Sequence, residues 1–115
     1  MHDIRLQHRT GSRAPACETF AGDGVVDLLL GRDPEAAVRF DAVRDPFVGR
    51  RHARITRTHT PGPVFVLHDL DARNGTFLNR RRVHGSAPLH AGDTIQLGAG
   101  GPELVFEVVR RAPVG

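Results

Sequence analysis

The sequence predicts an all-β domain, a sandwich or a barrel, on three observations. Its apolar residues gather in short runs rich in β-branched and aromatic side chains. Gly, Pro, Asn and Asp clusters separate those runs. No stretch holds an apolar period of about 3.6 residues over a helix length.

The runs follow one another in order. Ile4–Arg9 opens the series, and Val25–Leu30 comes after the turn signal Gly22-Asp23-Gly24. Val38–Phe40 follows Asp33-Pro34, and His52–Thr58 follows Asp45-Pro46. Within His52–Thr58, Ala53 and Ile55 fall on one face and Arg54 on the other, the two-residue alternation of a half-buried strand. Pro61-Gly62-Pro63 precedes Val64–Leu70, where Phe65 and Leu67 oppose Val64 and Val66. Apolar on both faces, this run is expected at the centre of a sheet. Asn74-Gly75 leads into Thr76–Leu78, while Gly85-Ser86 and Gly92-Asp93 precede Thr94–Leu97. Gly98–Pro102 then turns the chain into Leu104–Val109. The tail Arg111–Gly115 and the first few residues are expected to be mobile.

Composition narrows the classes. With 115 residues the chain reads as a single domain, 1–115, large enough to bury a core without cross-links. The one cysteine, Cys17, excludes an internal disulfide and reads as a small strand residue. No long apolar run follows Met1, and Val25–Leu30, interrupted by Asp27, is too short to cross a bilayer. A cytoplasmic location without membrane contact is the expectation. All 16 cationic side chains are arginine, against 13 carboxylates, for a net charge of +3. The pI of 10.8 therefore reflects arginine's high pKa more than a large excess of charge. The seven histidines form no compact ligand spacing with Cys17 or the carboxylates, so neither a metal nor another cofactor is expected. No serine lies in a nucleophile elbow, and Gly31-Arg32 lacks the lysine of a phosphate-cradling loop, so no catalytic residue is assigned.

The chemistry lies in four stretches between the strands: Gly31-Arg32, Gly49–Arg54, Asp69–Thr76 and Ala91–Ile95. The first three set a guanidinium beside Gly, Asn or Asp, where the backbone turns sharply and leaves N–H groups open. Arginine forks converging on such donors suit a dianionic phosphate, because they offer bidentate charge-assisted hydrogen bonds that lysine cannot copy.

Taken in order, Leu30-Gly31-Arg32, Gly49-Arg50-Arg51-His52-Ala53, Asp69–Asn79, Leu89–Ile95 and Leu97-Gly98 resemble a forkhead-associated (FHA) domain, over about residues 25–109. The resemblance implies two packed, largely antiparallel sheets whose loops at one end bind phosphothreonine peptides. It implies an adaptor rather than an enzyme, with a phosphothreonine protein as partner, a serine/threonine kinase or its substrate among the candidates. By the same resemblance Arg32 contacts the phosphate, and Asn74 holds the peptide main chain. Arg50 and Arg73 flank the pocket, and His52 braces its loop. Gly31, Gly75 and Thr76 are structural.

Three positions depart from the family pattern. Gly49 stands where a serine hydroxyl donates to the phosphate, Ala72 where a second serine is usual, and Arg80 where glycine follows Asn79. A hydrogen bond to a charged group is worth roughly 1.5–3 kcal/mol. Losing the donor at Gly49 therefore weakens binding roughly ten- to a hundredfold unless Arg50, Arg73 or the bare N–H of Gly49 compensates. Two alternatives follow: a phosphate-independent interaction or self-association module, and an arginine-rich nucleic-acid binder. The last is disfavoured, because the chain has no Trp or Tyr to stack on bases.

Overall fold

The computed structural model of the chain describes residues 2–58 and 64–110. The Pro61-Gly62-Pro63 turn and the Arg111–Gly115 tail lie outside them. Eleven strands and no helix occur among the described residues. They are β1 (His2–His8), β2 (Cys17–Ala21), β3 (Asp27–Gly31), β4 (Val38–Arg39), β5 (Ala53–Arg57) and β6 (Phe65–Asp69). Then follow β7 (Thr76–Leu78), β8 (Arg81–Arg82), β9 (Ser86–Leu89), β10 (Thr94–Leu97) and β11 (Glu103–Arg110).

These strands form two sheets. One has the order β2-β1-β11-β10-β7-β8, the other β4-β3-β5-β6-β9. Pairing is antiparallel except between β3 and β4, which run parallel. The inner face of the first sheet carries Ile4, Leu6, Ile95, Leu97, Leu104 and Phe106, all inaccessible to solvent. Against it the second sheet buries Leu28, Leu30, Ala53, Ile55, Phe65 and Leu67. Phe65 and Phe106 meet edge to face at 5.5 Å. Each buried Leu, Ile or Phe contributes roughly 1.5–3 kcal/mol, so this apolar interior fixes the sandwich and leaves the loops free to vary.

Three strands escape the sequence pattern, all at sheet edges. β2 buries no residue fully, so it shows no clean apolar alternation. β9 contains Pro88, tolerated there because an edge strand needs no donor on its open side. β8 is only two exposed arginines. The opening residues, expected to be mobile, instead form β1, held between β2 and β11. β6 lies inside its sheet but buries one face: Phe65 and Leu67 are covered, while Val64 is 41% exposed. Val25, expected in a strand, is 83% exposed and precedes β3.

Candidate functional site

The segments after β3, before β5, between β6 and β7, and after β10 meet at one end of the sandwich. The backbone stitches them together: His52 N–H donates to Leu30 O, Leu70 N–H to His52 O, and Gly98 N–H to Gly75 O. Gly31 makes the closest of these approaches possible. A side chain there would overlap the carbonyl oxygen of Arg50, so the residue is required for clearance. Immediately beyond it, the N–H groups of Arg32 and Asp33 donate to Gly49 O and Arg50 O at 3.1 and 2.9 Å.

His52 ties two of the loops through its ring. It is fully buried, its Nδ1 accepts from Gly49 N–H at 2.9 Å, and its Nε2 donates to Gly75 O at 2.8 Å. These partners fix the neutral Nε2–H tautomer. Burial pushes its pKa below the ordinary histidine value, outweighing the opposing pull of Gly75 O and the Asp69 carboxylate. A second proton would turn Nδ1 into a donor facing another donor.

Arg32 and Asn74 anchor on adjacent carbonyls. Arg32 Nε donates to Val48 O at 2.6 Å, and Asn74 Nδ2 donates to Phe47 O at 3.1 Å. Two side chains 42 positions apart in sequence are thereby brought to one stretch of backbone, next to Gly49. The bonds leave Arg32 its two terminal nitrogens and Asn74 its carbonyl oxygen. Arg73 is exposed, with no hydrogen bond or ion pair among the described residues.

Two expected compensations at Gly49 are altered. Its N–H is not bare, since it is spent on His52. Arg50 is turned toward Asp33, with Nε 3.2 Å from Oδ2, although its side chain remains 73% exposed and its terminal nitrogens are open. Arg51 lies 3.8 Å from the same oxygen. The Glu35 N–H and then the Arg50 hydrogen bond hold the Asp33 carboxyl below its ordinary pKa.

Thr76 does more than begin a strand. Buried, its hydroxyl donates to Asp69 Oδ1 at 2.7 Å, closing the loop that carries Arg73 and Asn74. Gly75 sits at φ +79°, a conformation that suits glycine. In the next hairpin Asn79 and Arg80 take φ of 49° and 69°, so Arg80 occupies a left-handed position where the family pattern has glycine. Asn79 secures that turn through Asp93 Oδ1 and Thr94 N–H, both at 2.9 Å.

Sequence reasoning missed the aspartates that shape the loops. Buried Asp45 accepts from Ser12 N–H at 3.0 Å and Asp41 N–H at 3.2 Å, and from the Ser12 hydroxyl. Asp33 and Asp45 were legible only as Asp-Pro turn signals, which mark a bend but not the partners of the carboxylate. Among the described residues no group of three His, Cys, Asp or Glu side chains is placed to hold a metal. Nor is any helix there long and apolar enough to cross a membrane.

Comparison with known proteins agrees with this fold. The FHA domain family model matches residues 28–98. An FHA domain of an Arabidopsis thaliana hypothetical protein superposes with a TM-score of 0.81 at 22% identity, over 98% of this chain and 91% of that one. A structure described as a structural and functional analysis of phosphothreonine-dependent FHA domain interactions gives a TM-score of 0.72 at 26% identity, over 97% and 99%. The FhaA FHA domain, solved in complex with the intracellular domain of Rv3910, gives 0.70 at 27% identity, over 90% and 99%. No curated protein sequence matches the chain. The two-sheet sandwich, the motif order and the family match lead to one conclusion: the chain belongs to the forkhead-associated (FHA) domain family.

Proposed function

We propose that this domain is a phosphothreonine-peptide-binding adaptor whose pocket lacks one hydroxyl donor. The observation that carries the reading is the meeting of Arg32 and Asn74 on the carbonyls of Val48 and Phe47, beside Gly49. In this reading the terminal nitrogens of Arg32 take the phosphate. Arg73 and the open end of Arg50 add charge at the rim, and the Asn74 carbonyl accepts from the peptide backbone. A phosphate of about −1.5 to −2 charge rewards each guanidinium it meets. His52, Gly31, Gly75 and Thr76 hold the loops in register and do not touch ligand. The partner is a phosphothreonine protein, a serine/threonine kinase or one of its substrates, met in the cytoplasm. Bound in this way, the domain acts by bringing proteins together.

A second reading, phosphate-independent partner binding, is favoured by the Gly49 N–H being spent on His52 and Arg50 Nε on Asp33. Amide chemical-shift titration separates the two. A phosphothreonine peptide should perturb Arg32, Gly49, Arg73 and Asn74, and its unphosphorylated form should leave them unmoved. Equal shifts from both peptides would favour the second reading.

A further inference from the structure

Arg32 also borders a concavity outside the Gly49 pocket. A cleft of about 460 Å³ is lined by Arg13, Arg32, Arg39 and Arg44, with Asp41 as its single carboxylate. The arginines come from the β1–β2 connection, the end of β3, β4 and the β4–β5 connection, so the fold and not a sequence run gathers them. Arg39 and Arg44 are exposed, and their guanidinium groups have no hydrogen bond or ion pair among the described residues. Arg13 is held in place, donating to Arg39 O at 2.6 Å and pairing with Glu18 at 2.9 Å, while its shielded Nε has no acceptor. Backbone hydrogen bonds from Arg44 and Val43 hold the Asp41 carboxyl below its ordinary pKa, so it stays charged and offsets one of the four arginines. Its Oδ1 accepts from Val43 N–H at 2.8 Å and Arg44 N–H at 2.7 Å, so it is committed to shaping the loop.

Arginines gathered around an open concavity raise the local potential and attract an anion. Composition explains why this chain uses arginine for every cation; it does not explain four of them around one cleft. We propose that the cleft binds a second anionic side chain of the same phosphothreonine peptide, a phosphoryl group or a carboxylate, through Arg39 and Arg44. Arg32 is shared between this cleft and the phosphothreonine pocket, so the two anions must lie close along the peptide. This inference rests on the function proposed above and adds a requirement to its ligand.

The test uses fluorescence anisotropy on peptides with one fixed phosphothreonine. A second phosphothreonine, or a Glu, is placed at each position within about four residues on either side, an extended reach of roughly 13 Å. The expected result is a gain of roughly ten- to a hundredfold at one favoured spacing, the range of one charge-assisted contact. The double variant Arg39→Gln, Arg44→Gln should lose that gain and keep its affinity for the singly phosphorylated peptide. Both side chains are exposed and unpaired, so the variant should fold normally. A gain from phosphate alone identifies a phosphoryl site, and an equal gain from Glu identifies a carboxylate site. No gain at any spacing, or a gain that survives the double variant, would overturn the inference. Failure of the singly phosphorylated peptide to bind would instead overturn the proposed function itself.

Discussion

Gly49→Ser puts the missing hydroxyl back, and the structure has room for it. A Cβ built on Gly49 finds its nearest neighbour, His52 Nδ1, at 3.6 Å, an ordinary van der Waals separation. Gly49 lies outside the left-handed region, so a side chain brings no backbone strain. Its N–H keeps its bond to His52. A hydroxyl donating to a phosphate contributes roughly 1.5–3 kcal/mol, which sets an upper range of roughly ten- to a hundredfold in affinity. The one Nδ1 lone pair is already taken by the Gly49 N–H, so the hydroxyl is left for the phosphate; fixing its rotamer costs part of the gain, and the low end, about tenfold, is expected. Gly49→Ala is the control. It stiffens the unfolded chain as serine does, stabilising by about 0.4–1 kcal/mol, but adds no donor. Isothermal titration with a phosphothreonine peptide, alongside thermal melts, gives both numbers. Serine should tighten binding while alanine leaves it unchanged, with similar melting temperatures for the two. Equal affinities for serine, alanine and the parent domain would refute the placement of the phosphate beside Gly49.

Arg32→Ala should lower phosphopeptide affinity by about a hundredfold or more, since it removes a charged fork, while losing a bond worth about 0.5–1.5 kcal/mol of stability; titration and melting separate the two. Thr76→Val should destabilise by about 1–3 kcal/mol in urea denaturation, because Asp69 Oδ1 loses its hydroxyl donor. Arg80→Gly should stabilise by up to about 1 kcal/mol by relieving a left-handed arginine, offset in part by glycine's greater unfolded freedom. His52 has its folded pKa below its unfolded value near 6.5, so the unfolded chain binds the proton first. Its contribution is complete above about pH 6.5 and falls away as pH drops through the folded pKa. Denaturation midpoints at neutral and mildly acidic pH should therefore diverge in the parent domain and diverge less in His52→Asn.

Interior strands were legible because the core imposes a two-residue rhythm on them. Ala53 and Ile55 are both buried, and Arg54 is not. Edge strands obey no such rule: Cys17–Ala21 packs little against the core, and Pro88 argues against a strand unless its edge position is known. The motif residues could be named in sequence because their order along the chain resembles the FHA pattern, from Gly31-Arg32 through Gly49–Ala53 to Asp69–Asn79. Their partners could not. That Gly49 N–H is taken by His52, or that Arg50 leans on Asp33, depends on directions of side chains far apart in the chain. The arginine cleft was hidden for the same reason, since Arg13 and Arg44 meet only after β1, β3 and β4 are assembled.

The most direct measurement sets the domain against a degenerate phosphothreonine peptide pool, with the same pool unphosphorylated in parallel. We expect selective retention of the phosphorylated peptides by the parent domain, and loss of that selectivity in Arg32→Ala. Equal retention of both pools, or of neither, would contradict a phosphate reader and leave a phosphate-independent interaction module in its place.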